Sequence, residues 1–288
     1  MRILRGLTIA AFSLLFSCKE KGPILDMGTG LKTSDTTYLT TPQAPQQRNV
    51  LIEDFTGVSC PPCPTGHAKL KAILAKYPGR IVITGNHIFG FAQAKPIDKV
   101  SRQDFRTQDA TDIANAFGSV AFMPSAIIDR VPDGSSNYVQ SQATWIGSVD
   151  ARVNEAAPVN ITITKQYNDQ QRSVQARIRL DYTQAVSKPH NLTIAIIENE
   201  IVDAQETGSG IDTFYTHNDV LRDVATLTTG VPVLDSITVK QPGRVFERSI
   251  TINLDPAWNA AKCRIVALVH YSDAIDKSVL QAAETEVK

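Results

Sequence analysis

Two cysteines separated by two prolines are the most chemically distinctive feature of this sequence. Cys60 and Cys63 lie between an apolar, strand-like run and a run with helical spacing. A cysteine at a helix N-terminus faces free backbone N–H groups and the positive end of the helix dipole, which stabilise a thiolate. Pro61 and Pro62 suit a first helical turn, where the missing N–H groups have no partner to lose. The arrangement predicts a redox-active pair in which Cys60 attacks and Cys63 resolves the mixed disulfide.

Two other roles fit the same cysteines. The first is a structural disulfide, although a ring of four residues constrains the unfolded chain little. The second is a copper or zinc site, because His67 shares the helix face of the cysteines and His87 follows the next strand. A c-type haem is excluded, because Pro64 stands where that motif requires histidine. The redox role is preferred, and no cofactor is expected beyond the disulfide itself.

Strands and helices alternate on both sides of the cysteine pair. Apolar runs predict strands at 50–55, 81–83 and 125–128. Apolar residues at helical spacing predict helices that end near residues 77, 117 and 153. The order strand, helix, strand implies a parallel strand pair. Residues 49–157 are therefore expected to form an α/β domain.

After Pro158 the apolar residues recur at every second position, which indicates β-strands. Strands are predicted at 159–163, 174–180, 192–197, 245–254, 263–270 and 279–287. Several short strands with polar turns between them predict an all-β antiparallel sandwich over residues 158–288. The polar stretch 201–230 is interpreted as a loop with one helical turn, and Cys263 as a buried core residue.

The N-terminal residues are typical of an export signal. Arg2 and Arg5 precede an apolar run that is shorter than the roughly twenty residues needed to span a bilayer. The run ends at residues 15–18, Leu-Phe-Ser-Cys, which resemble the lipobox of bacterial lipoproteins and imply acylation of Cys18. Residues 1–18 are thus expected to be a lipoprotein signal peptide. Residues 19–48 are rich in Thr, Gly, Pro and Gln, which predicts a flexible tether.

Residues 54–63 resemble the active-site segment of the thioredoxin superfamily. In that family a buried acid precedes the first cysteine by six positions, and the resemblance implies that Asp54 exchanges a proton with Cys63. A cis-proline opens a later strand beside the cysteines in that family, and Pro124 is its counterpart here. The resemblance also implies that a substrate peptide pairs with the backbone beside this proline. The residues expected to contact such a substrate are Met123, Ser59 and Pro61.

A narrower resemblance concerns three segments, residues 53–64, 255–259 and 279–284. Together they resemble a family of outer-membrane lipoproteins of about twenty-eight kilodaltons from Bacteroidetes-type bacteria. The charged residues 19–22 are similar to the sorting signal of such lipoproteins. The resemblance implies a thioredoxin-like domain, a β-domain and a lipid-anchored place at the outer membrane, on its periplasmic or its surface face.

The composition gives no sign of nucleic-acid binding. The chain has 288 residues and a formal net charge of zero, so a nucleic-acid-binding groove is not indicated.

The preferred hypothesis is a membrane-tethered thiol–disulfide oxidoreductase of thioredoxin type that acts on protein or peptide cysteines with an unidentified redox partner. The first alternative is a non-catalytic surface lipoprotein, for adhesion or assembly, with a structural disulfide. The second is copper or zinc binding by the same cysteines.

Overall fold

The computed structural model describes residues 33–288, so the predicted signal peptide and Cys18 lie outside the described residues. The helices are α1 (Cys63–Lys76), α2 (Gln108–Ala116), α3 (Trp145–Arg152) and a short 3-10 helix (Ala92–Ala94). The strands up to residue 182 are β1 (Thr33–Leu39), β2 (Val50–Phe55), β3 (Ile81–Asn86), β4 (Ser125–Ile128), β5 (Gln140–Ser141), β6 (Val159–Asn168) and β7 (Ser173–Tyr182). The later strands are β8 (His190–Glu198), β9 (Ile201–Thr207), β10 (Gly210–His217), β11 (Val220–Val224), β12 (Val231–Pro232), β13 (Arg244–Asn253), β14 (Cys263–Tyr271) and β15 (Val279–Glu286).

The largest sheet has nine strands in the order β15-β14-β8-β11-β3-β2-β4-β5, with β12 paired to β8. Strand β3 pairs in parallel with β2 on one side and with β11 on the other. The remaining pairs in this sheet are antiparallel. Strands β2 and β3 are buried along their whole length, because the sheet is covered on both faces. Such burial explains their continuous apolar runs.

The expected fold, an α/β thioredoxin-like domain followed by an all-β antiparallel sandwich, is wrong. The described chain contains far more β-strand than helix, and β2, β3 and β4 belong to the same sheet as β8, β11, β14 and β15. A parallel β2–β3 pair leaves one edge of β3 unpaired, and an unpaired edge readily accepts another strand. Here β11 fills that edge and is itself paired to β8, so the sheet continues into the C-terminal half.

A second, four-stranded antiparallel sheet has the order β1-β13-β7-β6. The predicted alternation holds in β7, where the side chains at positions 174, 176, 178 and 180 are buried. They share one hydrophobic core with β8 and β14, so the two sheets pack face to face, and Cys263 is buried in this core as predicted. The predicted tether is not free throughout, because Thr33–Leu39 forms β1 and pairs with β13.

The stretch 201–230, interpreted from its polarity as a loop, instead contains β9, β10 and β11. Strands β9 and β10 form a separate two-stranded hairpin. Polar residues point inward in β9, where the Asp203 carboxylate accepts the backbone N–H groups of Arg102 and Gln103 at 2.9–3.0 Å. Because the buried positions are polar, the strand lacks the apolar period that sequence reasoning relies on.

One buried carboxylate joins the helix layer to the large sheet. Asp129, at the end of β4, accepts the backbone N–H of Leu51 at 2.9 Å. It also pairs with the guanidinium groups of Arg48 at 3.2 Å and Arg152 at 3.1 Å. Asp129 has no exposed side-chain surface and Arg48 only 3%. A buried cation that loses its partner retains its full desolvation cost, so this contact should be strongly coupled to folding.

The variant Asp129→Asn should therefore lower the free energy of unfolding by about 3 kcal/mol, measured by urea denaturation. Asparagine keeps the size and tolerates the left-handed backbone of this position, φ 50°. The control is Asp150→Asn, which removes an exposed carboxylate that pairs with Lys76 at 2.9 Å. That loss should stay below about 1 kcal/mol. Equal losses of unfolding free energy in the two variants would show that the buried ion pairs of Asp129 stabilise the fold no more than the exposed pair does.

Candidate functional site

The cysteine pair lies where strand β2 passes into helix α1. Cys60 and Cys63 form a disulfide with their Cα atoms 5.4 Å apart. The backbone N–H of Cys63 donates to the Cys60 carbonyl at 3.1 Å, so the ring closes the turn that opens the helix. Both cysteines are fully buried, at 0% exposure. In this state neither sulfur is a free thiolate, and neither is open to solvent.

The β9–β10 hairpin and the loop around residue 93 cover the disulfide. The Gln205 side-chain amide donates to the carbonyl oxygens of Gly57 at 3.1 Å and Cys60 at 3.2 Å. The backbone N–H of Glu206 donates to the Val58 carbonyl at 2.7 Å. From the other side, Ser59 donates from its N–H to the Gln93 carbonyl at 2.9 Å. These bonds fix the cover to the backbone that carries Cys60.

Two glycines allow this close packing. A Cβ atom at Gly57 would lie 2.2 Å from the Gln93 carbonyl oxygen, so only glycine fits beneath the covering loop. A Cβ atom at Gly66 would lie 2.8 Å from Cβ of Pro124, so glycine lets helix α1 rest directly on that proline. The Met123–Pro124 peptide bond is cis, as expected from the sequence. Pro124 is therefore placed against the helix that begins at Cys63.

The residues expected to contact a substrate are only partly accessible. Met123 is buried at 5% exposure. Pro61 and Ser59 are half-buried, and the Ser59 hydroxyl donates to the Lys95 carbonyl at 2.8 Å. The described conformation thus has no open groove formed by these three residues beside the sulfurs.

Asp54 lies in a cavity that neither cysteine lines. The cavity has a volume of about 730 Å³ and lies between α1, β3 and the β10–β11 turn. The Asp54 carboxyl is buried, its Oδ1 atom has no hydrogen-bond partner, and its Oδ2 atom is 3.8 Å from His67 Nε2. Burial, together with the nearby Asp219, raises the pKa of Asp54 to about 8. Asp54 is therefore mostly protonated at neutral pH.

Three histidines surround this cavity and remain neutral. His67 contacts the Thr56 hydroxyl at 2.8 Å and the Tyr215 hydroxyl at 2.7 Å. The His87 and His217 rings both pack edge-on against the Phe105 ring, with centroids 5.3 and 4.9 Å from its centroid. Burial lowers the pKa of His67 and His217 to about 4 and that of His87 to about 3. None of the three therefore supplies a positive charge to Asp54 at neutral pH.

The alternative of a copper or zinc site has no ligand set in this structure. The two sulfurs are bonded to each other, and His67 is engaged with two hydroxyl groups. Within residues 33–288 no group of three or more His, Cys, Asp or Glu side chains is arranged to hold a metal ion.

Sequence reasoning missed three residues that complete the cavity, namely Tyr215, His217 and Asp219. All three come from the stretch interpreted as a loop, more than 140 positions after Asp54. The one available signal was the Gly-Ser-Gly sequence at 208–210, which is typical of a tight turn between two strands. It would have indicated a hairpin, though not its position against α1.

The raised pKa of Asp54 makes a testable prediction about stability and pH. The folded-state pKa of about 8 exceeds the ordinary value of 3.8, so the folded chain binds an extra proton between these values and loses stability as pH rises through them. Asp54→Asn removes this loss. The variant should match the wild type near pH 4 and exceed its unfolding free energy by at least about 1 kcal/mol near pH 8.

The measurement is urea denaturation of both proteins across this pH range. The exposed Asp98, changed to Asn, is the matched control and should leave the wild-type profile in place. Parallel pH profiles for the wild type and Asp54→Asn would contradict the assignment of a buried, protonated Asp54.

Comparisons with known proteins place the chain in a family. The family model for outer membrane protein Omp28 matches residues 110–288. Among solved structures, HBP35 of Porphyromonas gingivalis matches with a TM-score of 0.63 and 16% identity, over 85% of this chain and 77% of that one. A protein of Agrobacterium tumefaciens matches with a TM-score of 0.48 and 13% identity, over 85% of this chain and 97% of its own. No curated protein matches.

The likeness to HBP35 concerns the fold alone. The family match covers more than half of the chain and includes most of α2, all of α3 and every strand from β4 to β15. In the described part, residues 33–288, no helix is both long enough and apolar enough to cross a membrane. The chain belongs to the Omp28 family of outer membrane proteins.

Proposed function

We propose that this outer membrane protein is a non-catalytic, lipid-anchored component of the cell envelope, and that its Cys60–Cys63 disulfide is structural. The observation that carries the proposal is the complete burial of both cysteines beneath the β9–β10 hairpin. Thiol–disulfide exchange requires a thiolate to approach a sulfur along the S–S axis, so a covered disulfide exchanges slowly. The location at the outer membrane agrees with a role in adhesion or assembly.

A structural role gives the disulfide a definite task at the start of α1. The N-cap residue, Pro62, makes no side-chain hydrogen bond, and the first turn contains no acidic residue. Helix starts without such caps lose about 1 kcal/mol. The disulfide instead ties the first turn to the loop after β2, so the covalent bond replaces the missing cap. On the chain-entropy account a ring of this size contributes about 2 kcal/mol.

The proposal predicts that the native disulfide resists exchange. In the full chain without its signal peptide, reduction by glutathione should be about 100-fold slower under native conditions than in urea, because the hairpin must first open. Differential alkylation of the thiols provides the measurement. The double variant Cys60→Ala/Cys63→Ala should fold and lose about 2 kcal/mol of unfolding free energy.

The variant Gln205→Ala tests, in the same experiment, whether the hairpin limits access to the disulfide. It removes the side-chain bonds to Gly57 and Cys60 and should accelerate native reduction without altering the rate in urea. Rapid exchange of the wild-type disulfide with a model disulfide peptide under native conditions would overturn the structural assignment and restore the oxidoreductase hypothesis.

Lipid anchoring at Cys18 is a separate part of the proposal. It rests on the Leu-Phe-Ser-Cys sequence at 15–18, which follows the short apolar run. Cys18→Ala should abolish incorporation of a labelled fatty acid in cells and move the protein out of the membrane fraction. Ser17→Ala, which keeps a small residue before the cysteine, is the control and should retain both. Labelling and membrane association that persist in Cys18→Ala would contradict the anchor.

A further inference from the structure

The cavity beside α1 has the size of a small-molecule site. Its volume of about 730 Å³ falls within the range of about 300–1,000 Å³ that is usual for ligand pockets. It is separate from the disulfide, since neither cysteine lines it. Asp54 forms part of its buried lining, whereas Lys71, Leu74 and Asn218 are exposed and mark its mouth.

Two acids in the lining, the buried Asp54 and the half-buried Asp219, form no salt bridge with an arginine or lysine in residues 33–288. The Asp54 side chain is only 3% exposed, yet its Oδ1 atom has no hydrogen-bond partner. Asp219, on the β10–β11 turn, forms no salt bridge or side-chain hydrogen bond with any residue from 33 to 288. Its backbone carbonyl accepts the Gly85 N–H at 2.6 Å, and its backbone N–H donates to Asn199 Oδ1 at 2.6 Å. Elsewhere in the sheet, buried acids are paired: Glu53, next to Asp54, contacts Arg130 at 2.7 Å. A buried acid left without a donor usually has a missing partner.

The remaining walls are apolar or aromatic. Side chains of α1 and of the strands contribute hydrocarbon surface, and Tyr215 contributes an aromatic ring. A ligand cation can be attracted to such a ring as well as to a carboxylate. The apolar lining residues are Pro64, Ala68, Leu70, Leu74, Ile83 and Val220.

We propose that this cavity binds a small organic ammonium ion with an apolar body. The ammonium group would supply the missing donor to Asp54 and the missing positive charge to Asp54 and Asp219. The apolar body would lie against Leu70 and Ile83. A metal ion is a poorer occupant, because the described residues offer no group of three ligands. Lys71, which is exposed, is the only lysine or arginine among the lining residues, so an anion in the cavity would meet two acids and no buried cation of the lining.

Binding of such a cation should be coupled to proton release. The ammonium ion binds the carboxylate form of Asp54, so the proton held by the empty site passes to the buffer. Other titratable groups face the same space: His67 and Lys71 on α1, His87 after β3, Tyr215 and His217 on β10, Asp219 on the next turn, and Glu200 before β9. From the neighbouring strands, Glu284 raises and Arg264 lowers the pKa of Asp219, and Arg222 lowers the pKa of His87 and His217. The histidines are neutral above about pH 5, and Glu200 is already paired with Lys262 at 2.5 Å. Lys71 is exposed and free to point into solvent.

The test uses three probes with the same apolar skeleton and different charge: phenylbutylamine, phenylbutanol and phenylbutyrate. Binding to the full chain without its signal peptide is measured by calorimetry and by ligand-observed NMR. The amine should bind about tenfold more tightly than the alcohol, and the carboxylate more weakly than both. Affinity for the amine should rise between about pH 6 and pH 9, and calorimetry in two buffers should detect released protons.

Variants separate the charge from the cavity. Asp54→Asn, which is expected to be stably folded, should weaken amine binding about tenfold and leave the alcohol unchanged. Asp219→Asn should weaken amine binding by a smaller factor, because that side chain is nearer to solvent. Asp98→Asn should bind like the wild type. Equal affinity for amine and alcohol, an unchanged amine affinity in Asp54→Asn, preference for the carboxylate, or no binding by any probe would each overturn the proposal.

Discussion

The pairing of β3 on both of its edges is the constraint on which the rest of the structure depends. Strand β11 approaches β3 through Val220 opposite Gly85, and the Gly85 N–H donates to the Asp219 carbonyl at 2.6 Å. A Cβ atom at Gly85 would lie 3.2 Å from that carbonyl oxygen, so the absence of a side chain eases the approach. Because β11 directly follows the β9–β10 hairpin, this pairing carries the hairpin over the disulfide and sets Asp219 and Tyr215 opposite α1. The cover and the cavity are thus two consequences of one strand pair.

Two adjacent acids in β2, Glu53 and Asp54, are buried in different surroundings. Glu53 forms a two-point contact with Arg130, at 3.1 and 2.7 Å, with both side chains almost fully buried. Asp54 points to the opposite face, as alternate residues of a strand must, and meets neutral histidines and a second acid. An unsatisfied buried polar atom costs about 1–3 kcal/mol. The ion pair with Arg130 gives Glu53 a structural role. Burial of Asp54 lowers the stability of the fold without a compensating contact, which is the reason to look for a ligand.

Local patterns in the sequence were sufficient for most elements and insufficient for their arrangement. The apolar runs at β2, β3 and β4 and the alternation in β7, β13 and β14 are signals within a few residues, so these strands could be predicted. The partnership of β3 with β11 joins segments more than 130 positions apart, and no local pattern records it. Strand β9 was missed because Asp203 and Gln205 occupy buried positions, where their side chains bond to backbone groups of distant loops. Polar burial of this kind removes the period that distinguishes a strand from a loop.

The same limit applies to the chemistry of the cysteine pair. Spacing, prolines and position before a helix determine that Cys60 and Cys63 can form a disulfide, and the structure contains it. Whether such a disulfide turns over depends on access to its sulfur atoms, and access is decided by Gln205 and Glu206, which lie about 145 positions away in the chain. A motif of four residues therefore specifies a bond but not its reactivity. In this chain the cover is held by hydrogen bonds to the backbone of Gly57, Val58 and Cys60, so it does not depend on which side chains flank the cysteines. Access to the disulfide therefore depends on the β9–β10 hairpin as well as on the cysteines.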